Sequence, residues 1–181
     1  MRDRKIVTFD LDGVIFPLVP YICDMCGIDK TKQTDHNIFK CDLFTKDEQD
    51  TIASYFGTRE IYEKCGTYDG SKKLKDIAEI ADVYINSWCI GDDRDIKKEI
   101  IHSLAPNIPE KNMMFGAPFT KKEFIYSDYI VEDNLDNVLA NLDSANYFIL
   151  INTPYNQGDL PDKVIRVNDL NECMDILLKE L

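Results

Sequence analysis

The sequence predicts an α/β fold: a Rossmann-like parallel sheet flanked by helices, with a small helical cap inserted after the first strand. Two observations carry this prediction. Short β-branched or aromatic runs alternate with stretches of helical spacing, the pattern of strands joined by crossover helices. One stretch, residues 17–70, breaks that rhythm by running about 50 residues without an evident strand, too long for a simple crossover.

The expected strands are 5–9, 83–86, 112–115, 129–131, 147–151 and 163–167, several of them apolar on both faces, as buried parallel strands are. Residues 71–80 place Leu74, Ile77, Ala78 and Ala81 at helical intervals, and 92–104 do the same with Ile96, Ile100, Ile101 and Leu104. Helices are also expected over 134–142 and 169–181. Within the interruption, 47–56 and 58–64 have helical character. The chain therefore divides into a core, residues 1–16 and 71–181, and a helical cap, residues 17–70.

Composition narrows the function classes. The 181 residues carry 21 Lys plus Arg against 33 Asp plus Glu, a formal charge of −12. Such a field repels nucleic-acid polymers and anionic membranes, so an anionic substrate needs a local cationic device. The longest apolar run, residues 14–22, is interrupted by Pro17 and Pro20 and falls short of the roughly 20 residues that cross a bilayer. Six cysteines are too few for a disulfide scaffold, and no signal-peptide stretch opens the chain; reduced thiols and a cytoplasmic location are expected.

The sharpest local signal is Phe9-Asp10-Leu11-Asp12-Gly13-Val14, two carboxylates one residue apart just past a strand, where open α/β sheets place ligands. Neighbouring like charges raise each other's pKa unless a cation neutralises them, so a metal site or an acid/base pair accounts for them. Gly13 permits a sharp turn or close backbone approach. As a bare pattern the four residues are equally an ordinary surface turn.

With its companions the motif resembles that of the haloacid dehalogenase-like superfamily, whose first motif is an apolar strand followed by Asp-x-Asp-Gly. A Ser or Thr ending the next core strand is matched by Ser87. A lysine follows at Lys121 or Lys122, and an acidic cluster after another strand is matched by Glu132, Asp133 and Asn134. Within that superfamily the chain is most similar to the 5′(3′)-deoxyribonucleotidase group. Residues 122–134 resemble that group's lysine, spacer, strand and paired acids, a register that favours Lys122, and Pro154-Tyr155-Asn156 resembles its final loop. Leu18 departs from an aromatic residue often found there, and Glu132 from the usual aspartate.

The resemblance implies a phosphomonoesterase. Asp10 is the nucleophile that forms an aspartyl-phosphate, Asp12 the general acid/base, and Ser87 and Lys122 the phosphate ligands. Asp10, the Asp12 backbone carbonyl and Asp133 are the ligands of Mg²⁺. The implied partner is a small phosphorylated substrate, a nucleoside monophosphate. Phe16, Phe44, Tyr62 and Trp88 stand near enough to line a base pocket. Another phosphorylated metabolite, or a catalytically silent nucleotide sensor, are the competing readings. Cys23, Cys26, His36 and Cys41 have donor types that suit zinc, but buried thiols are favoured because the spacing matches no finger type. Cys65, Cys89 and Cys173 are expected as buried thiols.

Overall fold

In the computed structural model, residues 4–118 and 120–181 are described. Six strands among them form one parallel sheet: β1 (Ile6–Phe9), β2 (Asp82–Trp88), β3 (Met113–Gly116), β4 (Ser127–Glu132), β5 (Ala145–Ile151) and β6 (Val164–Val167). Their order is β3-β2-β1-β4-β5-β6. Val7 and Phe9 of β1 pair with Val83 and Ile85 on one side and with Tyr129 and Val131 on the other. Covered on both faces, these positions hold apolar side chains, which is why the strands read as apolar runs. The chain steps outward from β1 to β3, then returns to lay β4 on the opposite flank of β1. That reversal opens a crevice at the carboxyl ends of β1 and β4.

Helices α4 (Leu74–Ile80), α5 (Asp93–Leu104), α6 (Leu135–Ala140) and α7 (Leu170–Glu180) follow the periodicity read from the sequence. In α7, Leu170, Cys173, Met174 and Leu177 form the buried stripe. The helix expected over 71–80 opens instead as a 3₁₀ turn, Asp69–Lys73, pressed against α7. A Cβ on Gly70 would lie 2.7 Å from the Leu170 carbonyl carbon and from the Asn171 nitrogen.

Between β1 and β2 the described residues form helices and no strand: α1 (Leu18–Cys26), α2 (Lys46–Tyr55) and α3 (Arg59–Cys65), with short 3₁₀ turns. α1 escaped the sequence reading because Pro20 resembles a breaker; it occupies the first turn, where its missing N–H has no intrahelical partner to lose. α2 opens on a capping box in which Thr45 accepts from the Glu48 N–H and Glu48 accepts from the Thr45 N–H. Leu18, Ile22, Ile38, Ile52 and Ile61 join the main core cluster, so the segment is packed onto the sheet's core. No described helix is long and apolar enough to cross a membrane.

Candidate active site

The site begins where β1 stops. The Asp10 N–H donates to the Val131 carbonyl at 3.0 Å, and the Leu11 carbonyl then accepts from Val14, Ile15 and Phe16, folding a tight loop over the crevice. Gly13 turns that loop at φ +85°, and a Cβ there would stand 1.8 Å from Asp133 Oδ2. Only glycine lets the β1 loop approach the acid that follows β4.

Asp10, Glu132 and Asp133 are buried and each brings a carboxylate oxygen within 4.8 Å of the others. Lys122, also buried, stands 2.7 Å from Asp10 Oδ2 and 2.7 Å from Glu132 Oε1. Burial alone would lower its pKa, but Asp10 and Glu132 outweigh that and hold it raised. Glu132 is used up by the protein: Oε2 accepts from the N–H groups of Asp133 and Asn134, and Oε1 accepts from Lys122 and Asn137. A longer side chain than aspartate thus serves as the lysine's counter-charge and ties down the turn leading into α6, which Asn134 caps by accepting from the Asp136 N–H.

Asp133 Oδ2 accepts from the Tyr155 hydroxyl, and its carbonyl accepts from Asn156 Nδ2 at 2.8 Å. Asp10 Oδ1 and Asp133 Oδ1 are buried without a hydrogen-bond partner. Burial, with the neighbouring acids, pushes Glu132 and Asp133 up to about 7. Three carboxylates against one ammonium leave the cluster short of positive charge. Two orphaned oxygens from adjacent strand ends, in an all-oxygen donor set, suit a hard divalent cation.

On the other side of the crevice, Asp12 Oδ2 accepts from Lys97 Nζ at 2.6 Å, and the Tyr62 hydroxyl lies 3.3 Å from Asp12 Oδ1. Burial raises the Asp12 pKa, with Lys97 opposing. Ser87, at the end of β2, is buried and lines the same space.

A cavity of about 380 Å³ joins these groups, with Leu18, Val19, Phe56, Trp88 and Tyr155 among its walls. His36 lies edge-on to Trp88 and Tyr155, 5.7 Å from each ring, and burial lowers its pKa against the pull of Glu132 and Asp10. The Lys122 ammonium sits 5.4 Å from the Trp88 ring centre.

Asp10, Asp12, Tyr62, Ser87, Trp88, Lys122 and Asp133 therefore meet at one cavity, while Lys121 stays exposed. Phe16 and Phe44 do not line it. Both are buried in the core: Phe16, edge-on to Tyr62 at 5.3 Å, because the β1 loop turns its apolar side chains inward, and Phe44 because the turn before α2 packs into the main core cluster. Cys23, Cys26, His36 and Cys41 do not gather among the described residues: His36 faces the cavity, and Cys41 Sγ is engaged by the Asp35 backbone. Cys65 and Cys89 are half-buried rather than buried; Cys173 is buried. Lys97 and Asp93 escaped the sequence reading, although Asp93, Lys97 and Ile101 form an i, i+4 column on the helix face that the apolar pattern assigns to the core.

The profile of the family described as "5' nucleotidase, deoxy (Pyrimidine), cytosolic type C protein" matches residues 4–180. No curated protein sequence matches significantly. Among solved structures, D,D-heptose 1,7-bisphosphate phosphatase from B. bronchiseptica, complexed with magnesium and phosphate, is 13% identical with a TM-score of 0.54, covering 98% of this chain and 99% of that one. YfnB from Bacillus subtilis, described as a HAD-hydrolase bound to magnesium, is 14% identical with a TM-score of 0.56, covering 97% and 99%. A HAD-superfamily hydrolase of subfamily IA from Geobacter sulfurreducens is 15% identical with a TM-score of 0.53, covering 96% of each chain. These structural likenesses share the fold, and the sequence profile supplies the family. The chain belongs to the 5′ nucleotidase, deoxy (Pyrimidine), cytosolic type C family of haloacid dehalogenase-like phosphoric monoester hydrolases.

Proposed function

We propose that the protein is a cytoplasmic, Mg²⁺-dependent phosphomonoesterase that hydrolyses nucleoside monophosphates, deoxy forms among them, through an aspartyl-phosphate. The observation that carries this reading is the pair of buried, partnerless oxygens on Asp10 and Asp133, one at the end of each strand flanking the crevice. Asp10, Asp133 and the Asp12 backbone carbonyl would hold the cation, which supplies Lewis acidity and neutralises charge when bound.

Asp10 attacks phosphorus; its bond to phosphorus forms as the ester P–O bond breaks, and Asp12 gives its proton to the departing oxygen. Water then attacks the aspartyl-phosphate, Asp12 takes a proton from that water, and the bond between Asp10 and phosphorus breaks. Lys122 and Ser87 bind the phosphoryl oxygens, where charge spreads in the transition state. Trp88, Tyr155 and Phe56 give the cavity the aromatic walls that a nucleobase needs. One feature favours a second reading, a different small phosphorylated metabolite: Leu18, which lines the cavity where an aromatic residue would stack.

A panel of nucleoside and sugar monophosphates assayed for phosphate release, with Mg²⁺ and with EDTA, separates these readings. Nucleotides are expected to be hydrolysed faster, and only with the metal; equal rates on sugar phosphates sink the nucleotide version. Asp10→Asn is expected to lower turnover by about 10⁴-fold or more while the protein still folds and binds substrate. Substantial residual turnover would remove Asp10 from the nucleophile's role.

A further inference from the structure

Lys97 has no exposed side-chain surface, yet it is charged and sits in the middle of α5. Its Nζ lies 2.6 Å from Asp12 Oδ2, 2.6 Å from the Trp88 carbonyl and 3.3 Å from Asp93 Oδ2. Three donors thus face three acceptors. Asp93 is anchored as well: Oδ1 accepts from the Ile90 N–H at 3.0 Å and Oδ2 from the Tyr62 hydroxyl at 3.1 Å. That hydroxyl, carried by α3, is also 3.3 Å from Asp12 Oδ1. Asp12 Oδ2 is thus held by a donor from α5, while Oδ1 faces the Tyr62 hydroxyl from the segment between β1 and β2, whose single proton turns to either Asp93 or Asp12.

A buried ammonium stabilises a fold poorly compared with an apolar side chain of the same volume, so packing alone does not explain a lysine here. Asp93 and Lys97, one helical turn apart, already form a pair of opposite charges. The third contact is what the pair adds to the site. We propose that Lys97 is a positioning residue: braced by Asp93 and the Trp88 carbonyl, its ammonium fixes the Asp12 carboxylate at one place on the cavity wall, with Tyr62 directing the second oxygen. The inference rests on the proposed acid/base role of Asp12. Because Asp93 provides a counter-charge of its own, Lys97 remains a donor to Asp12 throughout the cycle.

The consequence is selective. When Asp10 attacks a nucleoside monophosphate, the departing alkoxide needs the Asp12 proton at hydrogen-bond distance. When it attacks p-nitrophenyl phosphate, p-nitrophenolate leaves as the anion and takes no proton. The attack, the new bond between Asp10 and phosphorus and the broken ester bond are the same in both.

The test compares wild type with Lys97→Met/Asp93→Asn, a double variant that removes the ammonium together with its Asp93 counter-charge, in the presence of Mg²⁺. Expected are a fall in kcat on a nucleoside monophosphate of about 100-fold or more, a KM within about threefold, and a pre-steady-state burst of p-nitrophenolate within about fivefold of wild type. Tyr62→Phe, which removes one hydroxyl, is expected to give the same split at about fivefold to tenfold, and it decides the question if the double variant does not fold. Equal losses on both substrates, or no loss on either, overturn the positioning role. A wild type that releases phosphate from no monoester overturns the proposed function and this inference together, whereas an active wild type with unsplit variants overturns this inference alone.

Discussion

Lys122 shows how tightly single side chains are coupled at this site. Its side chain is 3% exposed and serves two carboxylates that are themselves buried. Exposed pairs such as Lys46–Asp50 and Lys64–Glu60 sit in water and contribute little. Lys122 differs because its loss leaves Asp10 and Glu132 with no ammonium beside them. Removing one partner of a buried pair costs about 3–5 kcal/mol, and Lys122→Met in EDTA is expected to lose that much stability, read from urea unfolding. A loss below about 1 kcal/mol would mean that solvent already relieves these carboxylates. Lys122 could be placed from the sequence because its spacing to Glu132 and Asp133 is local. Lys97 could not: a Lys-Lys pair in a helix reads as solvated, and the acid that Lys97 meets lies 85 residues earlier.

At the level of elements, α7 is locked to the turn before α4 by close backbone approach. Gly70→Ala would drive a Cβ against Leu170 and Asn171 backbone atoms that cannot swing aside. It is expected to cost about 1–3 kcal/mol, measurable as a lowered urea midpoint with an unchanged slope. A wild-type midpoint would show that α7 can shift without penalty. The same kind of long-range contact marks the limit of what was legible in the chain. The β1 run Ile6-Val7-Thr8-Phe9 announces itself because burial on both faces selects its residues. By contrast, β2 runs on to Trp88 because Ser87 and Trp88 pair with Phe115 and Gly116 of β3, a register no local pattern encodes. α1 was hidden by Pro20, whose effect depends on its place in the first turn rather than on its presence. Asp10, Asp12 and Gly13 were legible as a motif, but the inward turn that buries Phe16 depends on how the loop closes over the crevice.

Over the whole molecule, a net charge of −12 surrounds a buried acid cluster, and the cation proposed for that cluster would link its occupancy to pH. Burial, with the surrounding acids, moves Glu132 and Asp133 from their ordinary values of 4.5 and 3.8 up to about 7 in the folded, metal-free protein. The sign follows directly. Between about pH 4 and about 7 the folded state holds protons that the unfolded state has released, so metal-free stability falls as pH rises through that window and levels off above it. The slope is at most about 1.4 kcal/mol per pH unit for each proton so held. A divalent cation held by Asp10 and Asp133, as proposed, would favour the ionised cluster, so its stabilisation would grow as those protons leave. Contributions from the exposed acids are nearly the same with and without metal and cancel in the difference. Thermal unfolding midpoints measured in EDTA and in excess Mg²⁺ are therefore expected to diverge as pH rises from about 5 to about 8, the EDTA curve dropping while the Mg²⁺ curve holds. A gap that stays constant across that range, or that narrows with rising pH, would show that Glu132 and Asp133 are already ionised at the acid end and that the cluster's charge is balanced without the cation.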